Sequence, residues 1–251
     1  SFFENPLTYE IQAEYTSIFG NIKVAEVAPR DGSGIIEKYF IQDGLVQNRT
    51  NKLNKSISMY TYVLESLVHA YAPKSQNVIV FGLGAGIVPK HFKADGKNVA
   101  VVEINSAALK AATDNFGFDE TGIQIFLEDA RTFVRKCERT YDAAVVDLFF
   151  GDNIPDYLMT KEFFGDLRKC LRPNGVMVMN TVFDNRDDEP NKRLLATIAT
   201  SFPKLYLSGI RGGNIFIVGT SGVAPEKILV EAKGLPQQLS AMVKFSLSRS
   251  R

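Results

Sequence analysis

The stretch "VIVFGLGAGIVPKHF" runs from Val78 to Phe92. Val78 to Phe81 read as a buried strand, and the residues after Gly86 read as the start of a helix. Between them Gly82, Gly84 and Gly86 stand at every second position. Glycine lets a backbone turn sharply and lets a ligand approach it closely. A dinucleotide fingerprint needs its third glycine at position 87, where this chain has Ile87. Taken alone, the turn also fits a plain tight strand-to-helix connection.

The residues downstream extend the pattern. "VAVVEI", "IQIFLED", "AAVVDLFF" and "VMVMNTV" are apolar runs separated by "SAALKAATDNF", "ARTFVRKCE" and "KEFFGDLRKCL", which have helical spacing. Continuous apolar strands alternating with helices predict a parallel sheet covered on both faces. "KLYLSG" and "NIFIVGT" predict two late strands on an antiparallel edge, and Pro225 opens a last helical stretch. Upstream, Ile57, Tyr60, Leu64, Leu67 and Tyr71 recur at helical spacing, and Pro73 closes that helix. The first 50 residues read as β. Ile18–Val27 and Gly34–Gly44 are rich in β-branched and aromatic residues, and Asp43-Gly44 in "DGLVQN" predicts a tight hairpin. The expected organisation is a β-hairpin domain over 1–55, an α/β domain with a parallel sheet over 56–222, and a helix with a frayed tail over 223–251.

Acidic residues fall at the predicted strand ends. Glu103 lies 21 residues after Gly82, the spacing at which a carboxylate accepts both ribose hydroxyls. Asp129 ends the third parallel strand, where it can accept from an exocyclic amine, or else cap the helix that begins at Ala130. Asp147 ends the fourth. Open α/β sheets bind ligands in the crevice beyond these strand ends. A phosphate would want Lys, Arg or Ser/Thr at the turn, and the first basic residue there is Lys90. Acid-lined walls fit a cationic, phosphate-free nucleoside better: S-adenosylmethionine or its decarboxylated form, used as co-substrate.

The bulk numbers exclude several classes. The chain has 251 residues, 45% hydrophobic and 23% charged, with a formal net charge of +1. That balance gives no field for nucleic acid. No apolar run is long enough to span a bilayer, and no signal peptide is visible, although a chain that opens on Ser1 leaves room for a preceding segment. Cys137 and Cys170 are too few for a zinc signature, and His69 and His91 add no ligand cluster, so no metal is expected. The two cysteines read as reduced thiols in a cytoplasmic protein. "NRT" at Asn48 matches a glycosylation sequon.

The blocks "DGLVQN", "MYTYVLESL", "GLGAGIV", "VVEINSAAL", "EDARTF", "YDAAVVDLF" and "GGNIFIVGT", in this order over Ile18 to Thr220, resemble the spermidine synthase family of polyamine aminopropyltransferases. The resemblance implies a Rossmann-like class I S-adenosylmethionine-dependent methyltransferase fold, with 56–222 as the nucleoside-binding catalytic domain and an added N-terminal hairpin domain, a transferase of polyamine biosynthesis, a small-molecule amine acceptor and a homodimer. It implies a nucleoside site at Gln47, Gly82, Gly84, Gly86, Glu103, Ile104, Asp129, Ala130 and Asp147, with Asp147 and Tyr60 catalytic. The chain also departs from the family pattern. Phe150 stands for the second acid of Asp-Ser-Ser-Asp, with Asp152 or Asp156 as substitutes. Tyr62 stands for an acid on the first helix, and Gly20 for a glutamine. Ala85 replaces the turn's Asp, which tilts the expected donor toward intact S-adenosylmethionine. Three alternatives stay open: a methyltransferase or other S-adenosylmethionine-consuming enzyme, a non-catalytic nucleoside module, and, disfavoured by the glycine spacing, an NAD-dependent oxidoreductase. "FFGDNIPDYLMTKEFF" (Phe149–Phe164) reads as a lid over the acceptor or as core packing.

Overall fold

A computed structural model describes residues 7–29, 34, 37–138, 140–149, 154–182, 189–209 and 213–222. The predicted C-terminal helix lies outside these residues. The chain begins with four antiparallel strands paired in sequence order: β1 (Leu7–Ser17), β2 (Gly20–Pro29), β3 (Glu37–Gln42) and β4 (Leu45–Asn51). The β3–β4 turn is the expected tight hairpin, with Asp43 at φ 48° and Gly44 at φ 85°, positive values that suit the strand twist. β1 goes beyond the strands expected from the sequence. Its Tyr9, Ile11, Ala13 and Tyr15 alternate with polar residues, but it is an edge strand and leaves Tyr9 and Ile11 exposed.

Helix α1 (Met59–Tyr71) follows. It starts later than its periodicity suggests because Ser56 is held by a bridge to Thr50 and accepts a hydrogen bond at its carbonyl from the Tyr62 hydroxyl, 2.8 Å. The chain then runs through β5 (Asn77–Phe81), α2 (Ile87–Ala94), β6 (Asn98–Glu103), α3 (Ser106–Phe116), β7 (Ile123–Leu127), α4 (Ala130–Lys136) and β8 (Tyr141–Val146). A single 3-10 turn (Asp156–Leu158) leads into α5 (Lys161–Cys170), β9 (Leu171–Thr181), α6 (Glu189–Ala199), β10 (Lys204–Gly209) and β11 (Ile215–Thr220).

The seven later strands form one sheet in the order β10-β11-β9-β8-β5-β6-β7, with β5 to β9 parallel and β10 and β11 antiparallel at one edge. The parallel runs are continuously apolar because both faces are covered. Ile79, Phe81, Val102 and Val146 pack with Phe133, Phe163, Phe164 and Leu167 of α4 and α5. Val78, Val80, Val101 and Val145 pack with Leu64, Leu67 and Phe92 of α1 and α2. Each fully buried side chain of this size contributes about 1.5–3 kcal/mol. β5 lies between β6 and β8, so consecutive connections leave it in opposite directions and open a crevice at its C-terminal end.

The small sheet is fixed to the large one at that end. Asn105 caps α3 through its side-chain oxygen, which accepts from Ala107 N–H at 2.9 Å and from the Ser17 hydroxyl at 2.8 Å. At the other end of α3, Lys38 of β3 donates to the Asn115 carbonyl at 3.0 Å. Cys137 and Cys170 are not reduced thiols as the sequence suggests. The packing of α4 on α5 brings their Cα atoms to 5.1 Å, and the two are joined in a disulfide. Free thiols therefore give no ground for a cytoplasmic setting. Among the described residues, no helix is long and apolar enough to cross a membrane.

Candidate active site

The glycine turn is dictated by what surrounds it. Gly82 has φ 91°, and a Cβ there would run into the carbonyl oxygen of Asp147. That contact is a consequence of the sheet order, because β8 lies beside β5 and Asp147 N–H donates to the Phe81 carbonyl at 2.9 Å. Gly84 has φ 53° and nothing within 4 Å of its would-be Cβ, so its backbone faces open space. Gly86, at φ 74°, caps α2 and is backed by the Phe118 ring.

Beyond the turn lies a cleft of about 900 Å³. Of the residues expected from the sequence, Gln47, Tyr60, Gly82, Gly84, Glu103, Ile104, Asp129, Ala130 and Asp147 all line it. Gly86 does not; it shapes the turn from behind. Ala85 is fully buried and packs with Ile22, Phe40 and Ile87. It does not reach the cleft, so the donor preference inferred from its lost charge has no structural basis. Lys90 is turned toward the C-terminal end of α3, away from the cleft.

Glu103 is buried at the end of β6. One carboxylate oxygen accepts from Leu83 N–H at 2.9 Å and the other from Asn105 N–H at 2.7 Å. Burial raises its pKa, while backbone N–H groups of Asn105, Leu83 and Ile104 pull it back down. Glu103 therefore braces the glycine turn as well as facing the cleft. Asp129 caps α4, accepting from Thr132 N–H at 2.9 Å, and its other oxygen accepts from the Tyr157 hydroxyl at 2.8 Å. Burial first, and Asp129 second, push the Tyr157 phenol up to about 12. Arg131 donates to the Tyr157 carbonyl at 2.7 Å. These bonds tie part of the expected lid to α4. The same stretch is also core, since Phe163 and Phe164 are buried. Phe150 and Asp152 lie outside the described residues, and Asp156 does not line the cleft.

Asp147 follows β8, on the opposite side of β5 from Asp129, and is close enough to Tyr60 to act on its charge. Burial pushes its carboxyl up to about 6, opposed by a 2.8 Å hydrogen bond from the Asn180 amide. The Asn180 oxygen in turn accepts from Asn214 at 2.9 Å. The Tyr60 hydroxyl accepts from the Asn48 amide at 2.6 Å and donates to the Gln47 carbonyl at 3.2 Å. Burial and then Asp147 hold the Tyr60 phenol well above its ordinary value, so it is a hydrogen-bond donor at neutral pH. Asn48, Asn180 and Asn214 are site residues that sequence reasoning misses. Asn48 is 4% exposed and so is not a glycosylation site; its position beside Gln47 in "LVQN" was the available signal. Asn180 had a weaker one, being the only polar side chain in "VMVMN". Tyr62, at the family's acid position, is buried in the α1 packing and does not line the cleft.

Residues 57–206 match the spermine/spermidine synthase domain. The chain belongs to that family. Over 117 residues it is 30% identical to a polyamine aminopropyltransferase from Vibrio vulnificus, covering 44% of this chain and 39% of that one. Over 118 residues it is 34% identical to an N-terminal histidine N-methyltransferase from Emericella nidulans, covering 45% of this chain and 21% of that one. The chain thus spans less than half the length of these two relatives. A probable spermidine synthase from Corynebacterium glutamicum has the same fold, with a TM-score of 0.72 at 19% identity over 85% of this chain and 81% of that one. The family match begins after the small antiparallel sheet, which ends at Asn51.

Proposed function

We propose that this chain is a transferase that moves an aminopropyl-type group from S-adenosylmethionine or its decarboxylated form to a small amine. The observation that carries this reading is Asp147: a carboxylate pushed up to about 6, beside Tyr60, in the cleft that Glu103 and the glycine turn also line. The donor's ribose would lie on Glu103 and its adenine near Asp129, with Gly84 leaving room against the backbone. An alkylamine arrives as an ammonium with a pKa near ~10. Asp147 attracts that cation and accepts its proton, and its raised pKa narrows the gap the proton must cross. The freed amine nitrogen then attacks the carbon beside the sulfonium. The C–S bond breaks with its electron pair going to sulfur, and methylthioadenosine leaves. Tyr60 and the Asn48 amide would hold the amine in line.

A methyltransferase is the second reading, favoured by the sparse acidity of the acceptor end. Glu103, Glu128 and Asp129 come from the ends of β6 and β7, and Asp147 is the one lining acid, among the described residues, beside Tyr60. The test is incubation with each donor and a panel of amines, read by mass spectrometry. Methylthioadenosine, lost in Asp147→Asn, is the expected product. S-adenosylhomocysteine alone establishes the second reading, and donor binding without either product refutes both.

A further inference from the structure

We infer that the far side of the α1–α2 pair carries a binding site for a divalent transition metal such as Zn²⁺, formed by Glu65, His69 and Asp95 with His91 supporting it. The site is independent of the proposed activity, since none of the four lines the cleft.

The sequence places these residues as two pairs four apart, Glu65 with His69 on α1 and His91 with Asp95 on α2 and its C-cap. Residues four apart share one helix face. Packing of α1 on α2 turns the two faces toward each other, so a carboxylate and an imidazole on one helix meet an imidazole and a carboxylate on the other. The ligand atoms of Glu65, His69 and Asp95 all lie within 4.8 Å of one another. His69 Nε2 is 3.1 Å from an Asp95 oxygen. A metal bound tetrahedrally at about 2.0–2.2 Å separates its ligand atoms by about 3.3–3.6 Å, so this pair already has nearly the required spacing. Glu65 needs only a small side-chain swing to close the third position. Water would complete four-coordination.

His91 supplies the support that such sites need. Its Nδ1 is buried 2.9 Å from a Glu65 oxygen, yet out of line for a hydrogen bond. A small turn of the ring would line it up to donate to that oxygen, leaving the other for the metal. The His91 ring packs on Tyr62 with centroids 5.1 Å apart, and the His69 ring meets the edge of Phe92 at 6.1 Å. Both imidazoles are thereby held in orientation, as metal-binding rings require. Nearby cations are committed elsewhere: Lys93 pairs with Asp119 at 3.0 Å, and Lys97 donates to the Ser75 carbonyl at 2.8 Å. Two carboxylates and an imidazole offer the oxygen and nitrogen ligands that a divalent transition ion takes. The side chains are part-exposed, 39% for His69 and 30% for Asp95, so an ion has an entry path.

The test uses the full chain without a histidine tag. Zn²⁺ is titrated in competition with a chromophoric chelator, and Co²⁺ is titrated for its visible d–d absorption. One equivalent should bind, with a Co²⁺ spectrum of low coordination number and a rise in melting temperature on adding Zn²⁺. His69→Gln and Asp95→Asn should each abolish these three signals while melting cooperatively without metal. His91→Gln should weaken Zn²⁺ about 10–100-fold, as loss of a supporting partner does. Failure of the parent chain to bind Zn²⁺, or undiminished binding in His69→Gln and Asp95→Asn, would overturn the inference and leave two His–carboxylate pairs that merely clamp the helices.

Discussion

Replacing Asp147 by Asn should make this protein more stable at neutral and alkaline pH while removing the proposed transferase activity. Burial raises the Asp147 carboxyl from an ordinary 3.8 to about 6. The fold therefore prefers the protonated form, and its contribution to stability is fully present below pH ~3.8 and lost as pH rises through ~6. A gap of about two units, at roughly 1.36 kcal/mol each, is a penalty of about 3 kcal/mol at pH 8 and about half that at pH 5. Water in the cleft screens part of it, so about 1–3 kcal/mol is expected. The substituted amide would keep an oxygen for the Asn180 side chain, so the bond at 2.8 Å survives the change. For a chain of this length the gain is roughly 3–10 °C in melting temperature at pH 8. Thermal melts of both proteins at pH 8, 6, 5 and 4 test this. The difference should shrink as pH falls and be small at pH 4. A variant no more stable than its parent at pH 8, or a difference independent of pH, would refute the account of Asp147 as a desolvated carboxylate held for chemistry.

In the proposed reaction the same carboxylate sets the acid limb of turnover. kcat/KM should rise about tenfold per pH unit below about 6 and level off above it, because Asp147 accepts a proton only when ionised. Asn180→Leu removes the donor that holds Asp147 down. The acid limb should move above pH 6 and the rate at pH 7 fall about two- to tenfold, and an unmoved limb would show that Asn180 only fills space. Glu103→Gln replaces an acceptor by an amide donor facing backbone N–H groups. At about 1–3 kcal/mol for an orphaned buried group, calorimetric titration should show the nucleoside bound tenfold to a hundredfold more weakly. Gly86→Ala forces φ 74° on a residue with a Cβ that meets the Phe118 ring. It should cost about 2–4 kcal/mol in urea denaturation, with little change in nucleoside affinity in the fraction that remains folded.

The parallel sheet, the glycine turn and the acids at strand ends were legible in the sequence because each is a local signal. Continuous apolar runs mark strands covered on both faces, glycines mark positive φ, and a carboxylate after the last apolar residue of a parallel strand lies at the crevice. Tertiary structure alone decided which way side chains face and which distant residues meet. Ala85 sits among cleft residues in the sequence but turns into the core, because backbone at φ 91°, 53° and 74° around it breaks any simple alternation. Asn48 and Asn180 become functional candidates only when β4 and β9 bring them beside Tyr60 and Asp147. Cys137 and Cys170, 33 residues apart, meet through the packing of α4 on α5. Glu65 with His69 and His91 with Asp95 are spaced four apart in the sequence, but the two pairs meet only when two helices lie face to face. Local composition fixes what each segment is; the contacts that do chemistry are made between segments, by packing that no short stretch encodes.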